Sequence, residues 1–206
     1  MQFEDWGLVP YKQAEALQIE YVDQVAANDR KETIIFCSHP SIVTTGRATQ
    51  DEDIRGWTGE MAPVSRGGRA TYHGPNQLVI YPILQLQKNR LAFASQDIRA
   101  YLNFLEDMVV ATLEQFGLNL KPGRTMAKDS SDLSFTGVWT SDGEKIASIG
   151  VAVRRWVSYH GIAINLTEPA VALDGIKPCG FSSNIMTSVE SQVAQKFAPG
   201  VLHDEV

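Results

Sequence analysis

Two cysteines, Cys37 and Cys179, are all that this chain of 206 residues holds. One pair cannot staple a chain of that length into a disulfide framework, and no second pair supplies a zinc site, so no metal centre is expected. Each thiol must be judged alone, as core filler or as nucleophile. Long apolar runs are missing too: none approaches the ~20 residues that span a bilayer. The opening, MQFEDWGLVPYKQAEAL, is acidic and lacks the basic and apolar regions of a leader, so a cytoplasmic protein without membrane attachment is expected. Basic residues are in deficit, 18 against 24 acidic for a formal charge of −6, which argues against a general nucleic-acid binder. They gather locally at Arg66/Arg69 and Arg154/Arg155, enough to steer an acidic partner. Neither the Gly-x-x-x-x-Gly-Lys-Ser/Thr phosphate loop nor a Gly-x-Gly-x-x-Gly turn is present. Hydrophobic content of 44% and charged content of 20% are ordinary for a globular protein. With no repeat, low-complexity tract or linker, residues 1–206 read as a single domain.

Periodicity supplies the elements. Ala14, Leu17, Tyr21 and Val25 recur at three- and four-residue steps, which predicts a helix over 11–28. Thr33–Cys37 is a β-branched and aromatic run, hence a buried strand, and Cys37 inside it reads as core. A loop rich in charge and glycine follows from about Arg47 to Met61. The stretch 63–83 reads as strand, glycine turn, short strand and strand. Ser95 is placed to cap a second helix whose apolar face runs from Ile98 through Leu105 to Phe116, with Gly117 ending it. Ser141-Asp142-Gly143 is a hairpin turn between strands 136–140 and 145–149, and strands 151–153 and 161–166 continue the meander. Few helices and late antiparallel strands make the class α+β, a mixed sheet with flanking helices.

Three segments can carry chemistry. In Ile176-Lys177-Pro178-Cys179-Gly180-Phe181, proline fixes the approach of the chain and Gly180 lets a substrate near the backbone, which suits attack by Cys179 on a carbonyl. A lone cysteine is also a common small hydrophobe, and the hexapeptide leaves both readings open. In Arg66-Gly67-Gly68-Arg69-Ala70-Thr71-Tyr72-His73-Gly74-Pro75, the glycines can offer backbone donors to a ligand and Arg66 can face an anion; a turn between strands explains the glycines as well. Lys145, just after the hairpin turn, reads on its own as a solvated strand end. His73 or His160 can be the base of a Cys/His pair, or a satisfied core histidine.

Together these segments resemble the lipoyl(octanoyl) transferase family. The resemblance runs from about residue 30 to 190, through His39-Pro40, Thr45-Gly46-Arg47, Arg66 to Pro75, Gln77-Leu78-Val79, Tyr81-Pro82-Ile83, Lys145 to Val151, His160 to Leu166 and Pro178-Cys179-Gly180. Asn76 stands where the family usually has glycine, and asparagine is the least costly substitute if positive φ is needed there. The segment 122–136 is poorly matched.

The resemblance implies the catalytic-domain fold of biotin protein ligases and lipoate ligases. It also implies a ping-pong reaction that opens endogenous protein lipoylation. Cys179 takes octanoyl (or lipoyl) from the phosphopantetheine thioester of octanoyl-acyl carrier protein, and a lysine of a 2-oxoacid dehydrogenase lipoyl domain or of glycine-cleavage H protein then receives it. Lys145 is the implied activator of Cys179. Arg66, Gly67, Gly68, Arg69, Ala70, Thr71, Tyr72, His73, Ser148, Ile149, Gly150, His160, Gly161, Ile162 and Ala163 are the implied substrate-binding residues. No cofactor beyond the donor's prosthetic arm and no ATP is implied, and a monomer is expected. Oxyanion donors are sought among N–H groups near Gly180 and in the 66–73 loop. The small residues Gly68, Ala70, Ala147, Ser148, Gly150, Gly161 and Ala163 can leave room for an acyl tunnel. An ATP-dependent lipoate–protein ligase of the same fold is the alternative. Its loop usually reads Arg-Arg-x-x-Gly-Gly-Gly-Ala-Val-Tyr-His-Asp, unlike 66–74 here, and it needs no cysteine.

Overall fold

The computed structural model describes residues 1–127, 135–169, 175–177 and 180–196. Pro178 and Cys179 lie outside them. The strands are β1 (Gln2–Leu8), β2 (Thr33–Ser38), β3 (Ile42–Thr45), β4 (Glu60–Pro63), β5 (Thr71–His73), β6 (Gln77–Ile83), β7 (Leu120–Pro122), β8 (Gly137–Thr140), β9 (Lys145–Arg154) and β10 (Val157–Asn165). The helices are α1 (Tyr11–Ala27), α2 (Ile98–Leu113) and α3 (Val189–Lys196). Seven strands form one mixed sheet in the order β1-β2-β6-β10-β9-β8-β7, in which β1 and β2 are parallel and the other pairs antiparallel. A second sheet, β4-β3-β5, stands beside it. Among the described residues no helix is long and apolar enough to cross a membrane.

The sheet is covered on both faces because its central strands are apolar on both. On one side Ala14, Val22 and Val25 of α1 meet Ile35, Val79, Tyr81 and Ala163, with Cys37 among them. On the other, Tyr101, Leu105, Val109 and Leu113 of α2 meet Ile80, Ile149, Val151, Ile162 and Ile164. The period-2 alternation of a strand assigns neighbours such as Ile162 and Ala163 to opposite layers. Cys37 is core, as its run predicts, and burial followed by the nearby Asp5 pushes its thiol up to about 12.

Several boundaries differ from the sequence reading. The cap of α2 is Asp97, whose carboxylate accepts from Ala100 N at 2.9 Å, while Ser95 donates instead to Gln87 O. Strands 145–149 and 151–153 are one strand, β9. β1 was invisible because its exposed edge position needs no apolar alternation. Asn76 is not among the residues with positive φ, so the chain does not require a glycine-like conformation there.

Two local devices decide which side chains reach the α1 face. The first is a bulge. Val138 pairs with Ala147 but Trp139 pairs with Lys145, so Ile146 is an extra residue on β9. Regular alternation would put Lys145 with Ala147 and Ile149 on the α2 face. The bulge sends Ile146 into the α2-side core and turns Lys145 to the opposite face, the re-aiming for which bulges are used.

The second is a proline in a central strand. Continuing the register of Ile162 with Ile80 puts His160 opposite Pro82, which has no N–H to give the ladder. Ser158 bridges the gap, donating to Pro82 O at 2.6 Å and accepting from Leu84 N at 3.2 Å. His160 N donates instead to Gln18 Oε1 of α1 at 2.8 Å, and the residue takes φ 55°. Its ring thereby joins that of Tyr159 on the α1 face, 4.7 Å away.

Candidate active site

Where β5, β6, β9 and β10 pass under α1, a cavity of about 320 Å³ opens, at the low end of small-ligand pockets. Its walls come from three distant parts of the sequence. The loop before β5 gives Arg66, Gly67, Gly68 and Arg69, and β5 adds Thr71 and His73. β9 gives Ser148, Ile149 and Gly150, and β10 gives His160 to Ala163. Ile149 and Ile162 have their side chains in the α2-side core, so they border the cavity with main chain. Of the residues expected to make room, Gly68, Ser148, Gly150, Gly161 and Ala163 do so. Ala147 faces α2 instead, and Ala70 packs with Tyr72, Val43 and Ile176. Tyr72 and Ala70 are thus the two residues of the 66–73 segment that do not line the cavity, as alternation along β5 requires. Tyr11, Ala48, Val79, Tyr81 and Thr136 also line it; Val79 and Tyr81 belong to the matched motifs but were not among the expected binding residues, and Tyr11, Ala48 and Thr136 carry no motif.

Arg66 is buried within the loop it belongs to. Its guanidinium donates to the carbonyls of Thr44, Gly67 and Arg69 at 2.9–3.0 Å and to Thr44 Oγ1 at 2.7 Å, stapling the glycine loop to β3. Gly67 N donates to Val151 O at 3.1 Å and Gly180 N to Lys177 O at 2.9 Å, so these two N–H groups are spent and are not oxyanion donors.

Arg69 links the loop to the segment that precedes and follows Cys179. It grips the fully buried Asp53 through Nε at 2.9 Å and Nη2 at 2.5 Å, a two-pronged pair. Asp53 O in turn accepts from Lys177 N at 2.7 Å. Gly180, at φ 85°, lies so close that a Cβ there would come 2.5 Å from the Arg69 guanidinium.

Lys145 is fully buried, not a solvated strand end. Its Nζ donates to Thr136 O at 3.0 Å and lies over the rings of Trp139 and Phe181, 5.0 and 5.9 Å from their centroids. Thr136 itself lines the cavity, so the ammonium stands just behind the wall.

The inner end is built of rings. Tyr11 stacks on His73 at 5.7 Å and meets His39 edge-on at 5.2 Å, while its hydroxyl bonds His160 Nδ1 at 3.2 Å. Tyr81 bonds His39 Nε2 at 2.7 Å. Burial lowers the pKa of all three histidines; His73 and His160 are lowered further by the cationic Arg66, and His160 falls to about 3. Neutral imidazoles of that kind hold positions by hydrogen bonding and are weak bases; Cys179, the other half of a Cys/His pair, lies outside the described residues.

Acid should therefore unfold the protein early. Between about 6.5, the unfolded value, and about 3, the unfolded chain binds a proton at His160 and the native chain does not. Stability is complete above that window and declines as pH falls through it; His160 alone costs about 2 kcal/mol by pH 5. Urea midpoints at pH 7 and pH 5 check this, and equal midpoints would refute the buried neutral imidazole.

A larger groove of about 890 Å³ runs between α2 and the β1-β2-β6 edge, lined almost wholly by apolar side chains. The motif residues Leu78, Pro82, Ile164 and Leu166 are among its walls, but none of the expected substrate-binding residues is.

A family model for the lipoyl protein ligase A/B catalytic domain matches residues 10–204. The chain is 45% identical over 207 residues to an octanoyltransferase of Bdellovibrio bacteriovorus, covering 99% of this chain and 94% of that one. It is 36% identical over 197 residues to an octanoyltransferase of Syntrophotalea carbinolica, covering 95% and 85%. Among solved structures, a bipartite lipoate protein ligase from Thermoplasma acidophilum aligns with a TM-score of 0.60 at 19% identity, covering 85% of this chain and 64% of that one, a likeness of fold.

Proposed function

This chain belongs to the lipoyl protein ligase A/B catalytic-domain family, and from that premise we propose that it transfers an octanoyl group, through a thioester on Cys179, to a protein lysine. The observation that carries the reading is the convergence of segments 66–73, 148–150 and 160–163 on one cavity beside a buried Lys145. Alignment over 95–99% of this chain with octanoyltransferases, at 36–45% identity, supports the reaction class.

The Cys179 thiolate attacks the octanoyl thioester carried by the phosphopantetheine of acyl carrier protein, and the carrier thiol leaves. The amine of a lysine, on a lipoyl domain or glycine-cleavage H protein, then attacks the enzyme thioester; the C–N bond forms and the cysteine sulfur leaves. A free thiol near pKa 8.5 is only about 3% ionised at pH 7, so a buried ammonium beside it favours the reactive form. Lys145 has that role and handles the proton of the incoming amine. The acyl tail, seven carbons beyond the carbonyl, gains up to roughly 5–6 kcal/mol if fully buried, and the cavity under α1 receives it. Thioester to amide is downhill, so neither ATP nor a resident cofactor is required. The enzyme works as a single-domain monomer in the cytoplasm. The likeness to lipoate ligases is one of fold, and no observation favours the ATP-dependent alternative.

Intact mass after incubation with octanoyl-acyl carrier protein, without ATP, tests the reading. Wild type should gain a hydroxylamine-labile octanoyl group on Cys179 and pass it to an added lipoyl domain, and Cys179→Ser should lose turnover. Transfer that appears only with ATP and free octanoate would sink it.

A further inference from the structure

We propose that a small polar chamber beside the acyl cavity is the subsite for the acceptor amine, an inference that rests on the transfer reaction proposed above. The chamber has a volume of about 20 Å³, room for one water-sized group. It shares Thr71 and Ser148 with the acyl cavity and reaches the surface at Thr167 and Glu168. Met186, another of its walls, bridges to Lys145 in parallel register.

Three carboxamides line it, and their orientation is fixed by backbone carbonyls. Asn76 Nδ2 donates to Thr167 O at 2.9 Å, so Oδ1 is the end turned inward. Asn165 Nδ2 donates to Thr187 O at 2.8 Å, which leaves Asn165 Oδ1 as an acceptor. Gln77 Nε2 supplies it at 3.0 Å and also reaches Tyr72 O at 3.2 Å, so Gln77 Oε1 is the acceptor end of a carboxamide that the His73 ring also approaches. Gln77 is 5% exposed, and neither Asn76 Oδ1 nor Gln77 Oε1 has a hydrogen-bond partner among the described residues. Buried acceptors without donors are rare and point to a ligand that donates.

The matching ligand is a small group with two or more hydrogens to give. A water satisfies that chemistry, and so does a lysine ε-amine. The amine is favoured by the Glu168 carboxylate at the outer opening and by the walls shared with the acyl cavity. An amine held by two N–H···O bonds keeps its lone pair turned away from both oxygens and free for the thioester carbonyl. The lone pair forms the C–N bond, the C–S electron pair goes to sulfur, and one amine proton ends on that sulfur.

The test separates formation of the thioester from its aminolysis. Wild-type enzyme acylated by octanoyl-acyl carrier protein is treated with propylamine, and octanoyl-propylamide should form with a saturable dependence on amine. Asn76→Ala and Gln77→Met should each slow aminolysis at least about tenfold more than they slow thioester formation. Linear dependence on propylamine, with aminolysis unaltered in both variants, would mean that the chamber holds water only and overturns the proposal. Equal losses in both half-reactions would mean a packing role and overturn it as well. A wild type that forms no thioester would instead remove the transfer reaction on which the subsite rests.

Discussion

Replacing Lys145 with methionine is expected to lower kcat/KM for octanoyl transfer by about 10³–10⁵ while the protein stays folded. The fold should tolerate the change because the ammonium is fully buried, bonded to the Thr136 carbonyl and faced by the Trp139 and Phe181 rings, where an apolar side chain of similar length also fits. Exchanging a buried charge for a well-packed apolar group is often neutral or stabilising. Two effects make up the kinetic loss. A thiol of ordinary pKa is about 3% ionised at pH 7, so an ammonium that brings it to half-ionised supplies a factor of about 15. A positioned proton-transfer group supplies about 10²–10⁴ more. The pH profile separates them. If charge alone matters, Lys145→Met should recover most of its rate near pH 9, where the thiol ionises unaided. If Lys145 moves a proton, the deficit persists there. A variant with wild-type kcat/KM at pH 7 would remove Lys145 from the reaction.

Why Lys145 was half legible in the sequence is a matter of local geometry. The Asp142-Gly143 turn and the apolar residues after it announce a strand, and the turn forms as expected, with Gly143 at φ 89°. Period-2 alternation then puts Lys145 on the same face as Ala147. The bulge at Ile146 inverts that assignment, and it depends on how β8 and β9 pair, which no window of sequence contains. His160 is a parallel case. Its position on the cavity face follows from Pro82, 78 residues earlier, and from Gln18 on a helix. Tyr11 was missed for the same reason: at the start of α1, it touches the site only through an amphipathic helix laid across the sheet. The 66–73 segment was more readable, because its glycines, arginines and alternating β5 side chains act locally. Even there the staple that Arg66 makes to Thr44 was not legible, since a guanidinium's partners are set by which carbonyls the fold brings near. Thr136 falls in a segment with no motif to mark it, yet its carbonyl is what Lys145 holds.

Gly161→Ala should be among the most damaging single methyls added to the protein, costing about 3 kcal/mol or more and lowering Tm by about 6–12 °C. A Cβ on Gly161 would lie 2.2 Å from Ile80 O and 2.7 Å from Pro82 Cδ, so it strikes main chain of the adjacent central strand. Relief requires β10 to move away from β6 in the middle of a seven-stranded sheet, against the cores on both faces. The same displacement would carry His160, Ile162 and Ala163, which form one wall of the acyl cavity, so activity should fall with stability. Gly143→Ala is the informative comparison. Gly143 sits at φ 89°, and nothing lies within 4 Å of its added Cβ, so only the backbone preference is lost, about 1 kcal/mol. Thermal melts of the two variants beside wild type rank the effects. If Gly143→Ala proves as costly as Gly161→Ala, the tight crossing of β6 and β10 is not what demands glycine at 161, and the Pro82–His160 arrangement built on that crossing fails with it.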